Sequence, residues 1–178
     1  MDKKKLLVVV DMQNDFIDGA LGSKDAQAIV PNVVKKIKHW DGDIILTRDT
    51  HGKNYLETRE GRHLPVVHCI KWTDGWNIND KVMAAVPSGH LLATVDKDTF
   101  GSFDLAALCL DENKRCRYDY IEAVGLCTDI CLVSCTLILK NAFPEVDVAV
   151  DSNCCAGVTP ESHEAALLTM KMCQVEIV

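Results

Sequence analysis

The stretch Val124-Gly-Leu-Cys-Thr-Asp-Ile-Cys131 joins an apolar run to an amphipathic segment. The run has the composition of a buried strand, whereas residues 129–143 repeat their apolar side chains with helical periodicity. Thr128 or Asp129 is the predicted N-cap of this helix, which puts Cys131 in its first turn. Because free backbone N–H groups and the helix dipole stabilise a thiolate there, Cys131 is a candidate nucleophile. A core cysteine beside a tight turn would give the same local sequence, so the rest of the chain has to decide between them.

The order of apolar and amphipathic segments predicts the fold class. Apolar runs typical of strands covered on both faces alternate with segments of helical periodicity. The predicted strands are residues 6–10, 43–47, 91–95, 120–126, 146–150 and 174–178, and the predicted helices are residues 26–40, 103–110, 129–143 and 161–172. Such alternation forms parallel sheets with right-handed crossovers. The sequence therefore predicts the α/β class, with a three-layer, Rossmann-like parallel sheet of about six strands and helices on both faces, in a single domain of residues 1–178.

Composition and charge exclude several classes of protein. The 178 residues are 48% hydrophobic and 25% charged, as in ordinary globular proteins, and no apolar run approaches the roughly 18 residues of a membrane span. The net charge of −7 argues against a nucleic-acid partner. The first apolar run is too short for the core of a signal peptide, so we expect a cytoplasmic protein whose nine cysteines are reduced thiols.

Polar residues follow the predicted strands at four places. Asp11, Asp49 with His51, Lys97 and Cys131 all come just after an apolar run. The carboxyl ends of parallel strands lie at one edge of the sheet, which is where open α/β sheets bind ligands. Each residue alone would be an ordinary loop residue, but together they predict one site at that edge.

The residue types at these places suit attack on a carbonyl group. A thiol needs a base to take its proton or a cation to stabilise its thiolate, and Asp11 and Lys97 supply one of each. Asp11 could accept the thiol proton and pass it to a departing amine, while Lys97 balances the negative charges. The spacing does not exclude a Cys–His pair instead, with His51, His63 or His68 as the base.

Four motifs carry a resemblance to a known family. They are Val9-Val-Asp-Met-Gln-Asn-Asp-Phe16, Arg48-Asp-Thr-His51, Lys97-Asp-Thr-Phe-Gly-Ser-Phe103 and Gly125-Leu-Cys-Thr-Asp-Ile-Cys131. With these motifs the chain resembles the isochorismatase-like cysteine hydrolases, and among them the nicotinamidase-type amidases. The resemblance implies a triad in which Cys131 is the nucleophile, Asp11 the proton shuttle and Lys97 the electrostatic partner. It also implies a cis peptide between Leu126 and Cys127, and an oxyanion site made by the N–H groups of Cys127 and Cys131.

The resemblance further implies a divalent metal beside the triad. The expected ligands are Asp49, His51, Glu60 and His68, with Glu57 or His63 as alternatives to Glu60. Two histidines and two carboxylates suit Zn, Fe or Mn, of which Zn is the first expectation. Open coordination positions would leave room for water or for a ring nitrogen of the substrate.

Phe16 and Leu126 are the expected contacts of the substrate. Nicotinamidases usually stack the substrate ring between a phenylalanine, here Phe16, and an aromatic residue shortly before the last metal histidine. This chain has Leu64-Pro-Val-Val67 at that place, so Trp72 or Trp76 would have to supply the second aromatic ring.

The residues and the resemblance together predict a cysteine amidohydrolase. It would cleave a small planar amide to an acid and ammonia through a thioester, and nicotinamide is the first candidate substrate. Two alternatives stay open: a metal-free hydrolase of carbamoyl or ureido compounds, and a non-catalytic member that serves as a subunit or a redox-sensing thiol protein. The apolar residues 132–139 would suit a homo-oligomer interface, although core packing explains them equally well.

Overall fold

The computed structural model describes residues 4–178 and has a parallel sheet at its centre. The strands are β1 (Lys5–Val10), β2 (Asp43–Asp49), β3 (Leu91–Lys97), β4 (Tyr120–Leu126), β5 (Asp147–Ala156) and β6 (Glu176–Ile177). Their order across the sheet is β3-β2-β1-β4-β5-β6, and every neighbouring pair is parallel. The predicted α/β class and the parallel sheet of about six strands are confirmed.

Helices of very different length connect the strands. They are α1 (Asn14–Ile17), α2 (Lys24–Lys38), α3 (Arg59–His63), α4 (Asp80–Met83), α5 (Phe103–Cys116), α6 (Val133–Ala142) and α7 (Pro160–Met172). The chain crosses the sheet in one direction from β1 to β3 and in the other direction from β4 to β6. Because such crossovers are right-handed, α2 and α4 cover one face, whereas α5, α6 and α7 pack side by side on the other. In the described part of the chain, no helix is both long and apolar enough to cross a membrane.

Burial on both faces of the sheet explains the apolar runs. Residues 6–10 in β1 are all fully buried. On α2, Ile29, Val33 and Ile37 recur every four residues and form the face that packs on the sheet. Each such side chain contributes about 1.5–3 kcal/mol by leaving water.

Two elements, β5 and α5, extend six residues beyond their predicted ends, for different reasons. β5 continues past residue 150 through a polar segment, because Cys155 and Ala156 pair with β4 beyond an irregularity in the register. Lys36 compensates the charge in that segment, since its ammonium lies 2.8 Å from the Asp151 carboxylate. α5 continues past residue 110 to Cys116 along an exposed stretch of charged side chains, which hides the helical periodicity in the sequence.

The predicted start of the cysteine helix is wrong. Residues Thr128–Leu132 form one π-helical turn, preceded by Cys127, and the regular helix α6 begins only at Val133. The Asp129 carboxylate does not cap this turn, because it accepts hydrogen bonds from the start of α7 instead. A partner distant in sequence therefore replaces the local cap that the sequence pattern predicts.

The fold creates a crevice at the centre of the sheet. β1 and β4 are neighbours there, and the strand order reverses between them. The helices that follow these two strands lie on opposite faces, so the carboxyl ends of β1 and β4 border a gap in which α/β proteins bind ligands.

Candidate active site

Three predicted residues meet at the carboxyl edge of the sheet. Asp11 directly follows β1, Lys97 is the last residue of β3, and Cys131 lies in the π-helical turn after β4. The Lys97 ammonium nitrogen lies 2.6 Å from Oδ2 of Asp11 and 3.4 Å from Sγ of Cys131. All three residues are buried. The structure thus brings a carboxylate, an ammonium group and a thiol into one contact group, named the Cys131 cluster below.

The two oxygens of the Asp11 carboxylate have different surroundings. The Thr47 hydroxyl on β2 donates to Oδ1 at 2.6 Å and accepts from the Asp11 N–H at 3.2 Å. Oδ2 lies against the Lys97 ammonium, which occupies one of its two lone pairs. A lone pair of Oδ2 is therefore available for a proton. Asp11 itself has a φ of 47°, a left-handed conformation that aspartate adopts more readily than most residues.

Burial controls the protonation of the Cys131 cluster. Burial raises the pKa of the Asp11 carboxyl, and the Lys97 ammonium offsets only part of this rise. Burial and the nearby Asp11 charge also raise the pKa of the Cys131 thiol well above its ordinary value. For Lys97, burial acts to lower the pKa, but the negative charge of Asp11 outweighs it and the pKa is raised. The resting cluster therefore holds a neutral thiol beside a lysine cation.

Strand β4 has a backbone position near its carboxyl end that only glycine fits. Gly125 has a φ of 121°, and a Cβ atom there would lie 2.1 Å from the carbonyl oxygen of Val10 on β1. The next peptide, between Leu126 and Cys127, is cis, as the resemblance implied. Cys127 and Cys131, whose N–H groups are the predicted oxyanion donors, both line the cavity described below.

Helix α7 holds the cysteine turn from outside. The carboxylate of Asp129 accepts from the N–H of Val158 at 3.0 Å and from the hydroxyl of Ser162. Nδ1 of His163 lies 2.8 Å from the hydroxyl of Thr128. These contacts, named the α7 clamp below, connect the turn that carries Cys131 to the start of a regular helix.

A second cluster lies beside the first and contains the four predicted metal ligands. Its members are Asp49, His51, Glu60 and His68, and one ligand atom from each lies within 4.8 Å of the others. Nε2 of His51 lies 2.9 Å from Oδ2 of Asp49 and 3.6 Å from Oε1 of Glu60. Nε2 of His68 lies 3.5 Å from the same Asp49 oxygen. This group is named the Asp49 cluster, and it adjoins the first because Oδ1 of Asp49 lies 3.7 Å from the Lys97 ammonium.

The donor atoms of the Asp49 cluster fit a divalent metal. Nδ1 of His68 lies 2.7 Å from the Val66 carbonyl and donates to it, which leaves the Nε2 lone pair directed into the cluster. Nε2 of His51 is buried and has no hydrogen bond of good geometry, although a carboxylate oxygen is 2.9 Å away. Two imidazole nitrogens and two carboxylate oxygens that converge on one place are typical of a cation site.

The alternatives for the third ligand and for the base lie elsewhere. Glu57 and His63 are both exposed, and Nδ1 of His63 lies 2.8 Å from the carbonyl of Arg59 in its own helix. His51 and His68 face the Asp49 cluster. Among the described residues, the Cys131 thiol contacts Lys97 and Asp11 and hydrogen-bonds to no histidine.

Two supporting residues, Gln13 and Thr47, were not predicted from the sequence. Gln13 holds the backbone of Asp49 on both sides, because its amide accepts from the Asp49 N–H at 2.7 Å and donates to the Asp49 carbonyl at 2.8 Å. Thr47 holds the Asp11 carboxylate. Gln13 belongs to the first of the four motifs, so its position two residues after Asp11 was a usable signal in the sequence. Thr47 gave no such signal, because threonine is common in β-strands.

A cavity of about 550 Å³ lies against both clusters. Asp49, Glu60, His68 and Cys131 line it together, so a ligand inside can contact the thiol and the Asp49 cluster at once. Phe16 and Leu126, the predicted substrate contacts, also line it, and Phe16 packs on His68 with ring centroids 5.6 Å apart. Much of the remaining wall is apolar and consists of Leu21, Leu64, Phe100, Ile130 and Val158.

The two tryptophans do not supply a second ring to this cavity. Trp76 is buried beneath the guanidinium of Arg48, 3.7 Å from the ring centroid, and its indole N–H donates to Thr50. Trp72 is 81% exposed. The aromatic side chain that does line the cavity with Phe16 is Phe100, which lies in the Lys97–Phe103 motif, where the sequence offered a signal for it.

Comparison with known proteins gives matches in sequence and structure. The model of the isochorismatase domain family matches residues 5–178. A nicotinamidase from Saccharomyces cerevisiae is 32% identical over 123 residues, and the match covers 52% of this chain and 56% of that enzyme. The aligned part is thus only a little more than half of the yeast enzyme.

Solved structures match over nearly the whole length. A nicotinamidase/pyrazinamidase from Bacillus subtilis has a TM-score of 0.83 at 22% identity and covers 98% of this chain and 99% of its own. A pyrazinamidase from Pyrococcus horikoshii, solved in complex with zinc, has a TM-score of 0.79 at 28% identity and covers 98% of each chain. An N-carbamoylsarcosine amidase from Thermoplasma acidophilum has a TM-score of 0.73 at 22% identity and covers 98% and 95%.

Proposed function

Because the chain belongs to the isochorismatase family, we propose that it is a cysteine amidohydrolase that cleaves nicotinamide, or a close relative of it, to the acid and ammonia. The observation that carries the proposal is one cavity that touches both the Cys131 thiol and the Asp49 cluster. The yeast nicotinamidase and the pyrazinamidase from Pyrococcus horikoshii support the choice of a small aromatic amide. The Asp49 cluster favours this reading over the metal-free carbamoyl or ureido hydrolase.

In the first half of the proposed reaction, Cys131 is acylated. Sγ attacks the carbonyl carbon while the thiol proton passes to Asp11, whose Oδ2 has a free lone pair. The N–H groups of Cys127 and Cys131 stabilise the oxyanion of the tetrahedral intermediate. The C–N bond then breaks, the proton on Asp11 moves to the leaving nitrogen, and ammonia and a Cys131 thioester are formed.

In the second half, water hydrolyses the thioester. Asp11 takes a proton from the water, the resulting hydroxide adds to the thioester carbon, and the C–S bond breaks. The Asp11 proton returns to the Cys131 sulfur and the carboxylic acid is released. Lys97 remains charged throughout, because its pKa is raised, and it balances the negative charge that moves between Asp11 and the sulfur.

Asp49, His51, Glu60 and His68 would hold the divalent metal, and we propose zinc. Support comes from the donor set and from the zinc complex of the Pyrococcus horikoshii pyrazinamidase. A bound divalent cation would supply a Lewis acid that could bind water or a ring nitrogen of the substrate. Phe16 and Leu126 would position the ring from the cavity wall.

Ammonia release from nicotinamide by the purified protein, measured in Cys131→Ala and Cys135→Ala variants, tests the proposal. Cys131→Ala should lower kcat by at least about a thousandfold without unfolding the protein, because it removes the nucleophile. Cys135 lies one turn further on, is buried and contacts the Phe100 carbonyl. Its replacement should retain turnover and lower the unfolding free energy by about 1 kcal/mol.

Two results would contradict the assignment. Full turnover by Cys131→Ala would remove the thiol from the mechanism. A folded wild-type protein whose Cys131 is alkylated stoichiometrically, but which releases no ammonia from nicotinamide, would favour the non-catalytic thiol protein.

A further inference from the structure

The cavity is larger than the substrate proposed above requires. A cavity of about 550 Å³ lies within the range of roughly 300–1,000 Å³ typical of sites for drug-sized ligands, and nicotinamide is much smaller than such ligands. A ligand that touches only Cys131 and the Asp49 cluster would leave the rest of the cavity unfilled. The chemistry of that remaining space indicates what it binds.

The remaining wall is apolar and reaches the protein surface. Leu64, Phe100 and Val158 line the cavity and are 39%, 46% and 63% exposed. Leu21 and Ile130 continue the apolar wall towards the interior. Large apolar side chains left exposed around a pocket are typical of a ligand site, because a bound apolar group removes them from water. We name Leu64, Phe100 and Val158 the apolar rim.

The amide nitrogen of a substrate has no comparable space. It must approach Asp11 to receive its proton, and Asp11 is fully buried between Thr47 and Lys97. An additional group on the substrate is therefore accommodated on the acyl side, and the scissile group is a primary carboxamide.

We propose that the preferred substrates are aromatic primary amides whose ring carries an apolar alkyl or aryl group, which packs against the apolar rim. This inference rests on the proposed function, because it assumes that the carboxamide reaches Cys131 and that the ring lies beside the Asp49 cluster. In a pyridine-3-carboxamide, position 5 is meta to both the carboxamide and the ring nitrogen. A substituent there points away from both anchors.

The first experiment compares the hydrolysis of nicotinamide and of 5-phenylnicotinamide by the metal-loaded protein. We expect kcat/KM for the phenyl compound to equal or exceed that for nicotinamide, with KM lowered about tenfold or more by burial of the apolar ring. Nicotinamide methylated on the amide nitrogen should be hydrolysed at least about a hundredfold more slowly, because the nitrogen side is closed.

The failure of each claim is distinguishable. A kcat/KM for 5-phenylnicotinamide below that for nicotinamide overturns the inference and leaves the proposed function standing. Equal hydrolysis of the N-methyl amide overturns the restriction to primary amides. No turnover of any of the three amides overturns the proposed function, and the inference fails with it.

Variants at the apolar rim test where the extra group binds. The measured quantity is kcat/KM for 5-phenylnicotinamide divided by kcat/KM for nicotinamide. Val158→Trp should lower this ratio by roughly tenfold or more, because the larger side chain fills the space at the rim. Leu168→Trp is the matched control, since Leu168 on α7 is 61% exposed and lies outside the cavity, and it should leave the ratio unchanged. Leu64→Trp is a second rim variant with the same expected direction. An unchanged ratio in both rim variants overturns the inference.

Binding without turnover gives an independent readout. In Cys131→Ala, calorimetry should show tighter binding and a more negative heat-capacity change for 5-phenylnicotinamide than for nicotinamide, as burial of apolar surface requires. Equal heat-capacity changes for the two ligands would mean that the phenyl group remains in water, which overturns the inference.

Discussion

The charge of the Asp11 carboxylate determines the acidic limit of the proposed reaction. Its pKa is raised by burial, against the opposing effects of Lys97 and of the Thr47 hydroxyl. The shuttle has to be ionised to accept the thiol proton, so activity is present above the raised pKa and is lost as the pH falls through it. We expect the acidic limb of kcat/KM to lie above the ordinary carboxyl pKa of about 3.9.

Replacement of Thr47 tests whether Asp11 is responsible for the acidic limb. Thr47→Val removes the hydroxyl that donates to Oδ1 at 2.6 Å, so the acidic limb should move to higher pH. A hydrogen bond to a charged group is worth about 1.5–3 kcal/mol, which corresponds to a loss of roughly ten- to hundredfold in kcat/KM on the acidic side. Thr47→Ser keeps the hydroxyl and should restore the limb. If a pH series of ammonia release is the same for all three proteins, a different group is responsible for the acidic limb.

At this scale, the sequence alone was informative where a polar residue follows an apolar run. Asp11, Lys97 and Cys131 could be proposed for one site because the ends of parallel strands converge. Thr47 could not, because its importance depends on the register of β2 against β1, which puts its hydroxyl beside Asp11. Val158 could not be proposed as a cavity residue, because it follows the part of β5 that runs six residues past the predicted end of the strand.

At the scale of elements, the π-helical turn has to be held in place from outside. The sequence predicts a regular helix with its own cap, but the turn Thr128–Leu132 is followed by α6 and is attached to the start of α7. Local propensity predicts helical backbone for the residues of the π-helical turn just as it does for a regular helix. The difference arises from contacts between segments about thirty positions apart, and a pattern within one segment does not contain them.

Asp129→Ala tests whether the α7 clamp positions the thiol. The variant loses the acceptor for the Val158 N–H and the Ser162 hydroxyl, so we expect the unfolding free energy to fall by about 1–3 kcal/mol and kcat to fall by about tenfold or more. Asp111→Ala is the control, because Asp111 is an exposed aspartate on α5 whose ion pairs are with its own helix. A variant that loses stability but retains kcat would show that the clamp supports the fold and not the thiol.

At the scale of the whole molecule, the Asp49 cluster connects the sheet to its longest irregular segment. Residues 51–78 are held by individual contacts, for example the bridge between His51 and Ile70 and the bond from the Cys69 N–H to the carboxylate of Asp15 on α1 at 2.7 Å. The sequence predicts no strand or helix in this segment. It could not show the path, because the segment has little periodic structure and is held by individual contacts.

Metal bound at this junction should therefore stabilise the whole protein and not only the site. Asp49 belongs to β2, whereas Glu60 and His68 come from the irregular segment, so a cation bound by all of them closes a loop that the unfolded chain leaves open. At a metal concentration about a hundredfold above Kd, the stabilisation is about 2.7 kcal/mol, or a rise in Tm of about 5–10 °C for a chain of this size.

Chelation followed by calorimetry, in the wild type and in two histidine variants, separates stabilisation by the bound metal from a general loss of stability. Chelation should lower the Tm of the zinc-loaded wild type by that amount and abolish ammonia release from nicotinamide. His68→Ala should bind zinc much more weakly and show almost no change of Tm on chelation, because the variant lacks the Nε2 ligand of His68. His63→Ala should behave like the wild type, since His63 is exposed and bonded within α3. A wild-type protein that contains no metal after reconstitution, or whose Tm and turnover survive chelation, would leave the Asp49 cluster without the proposed role and would favour the metal-free carbamoyl or ureido hydrolase.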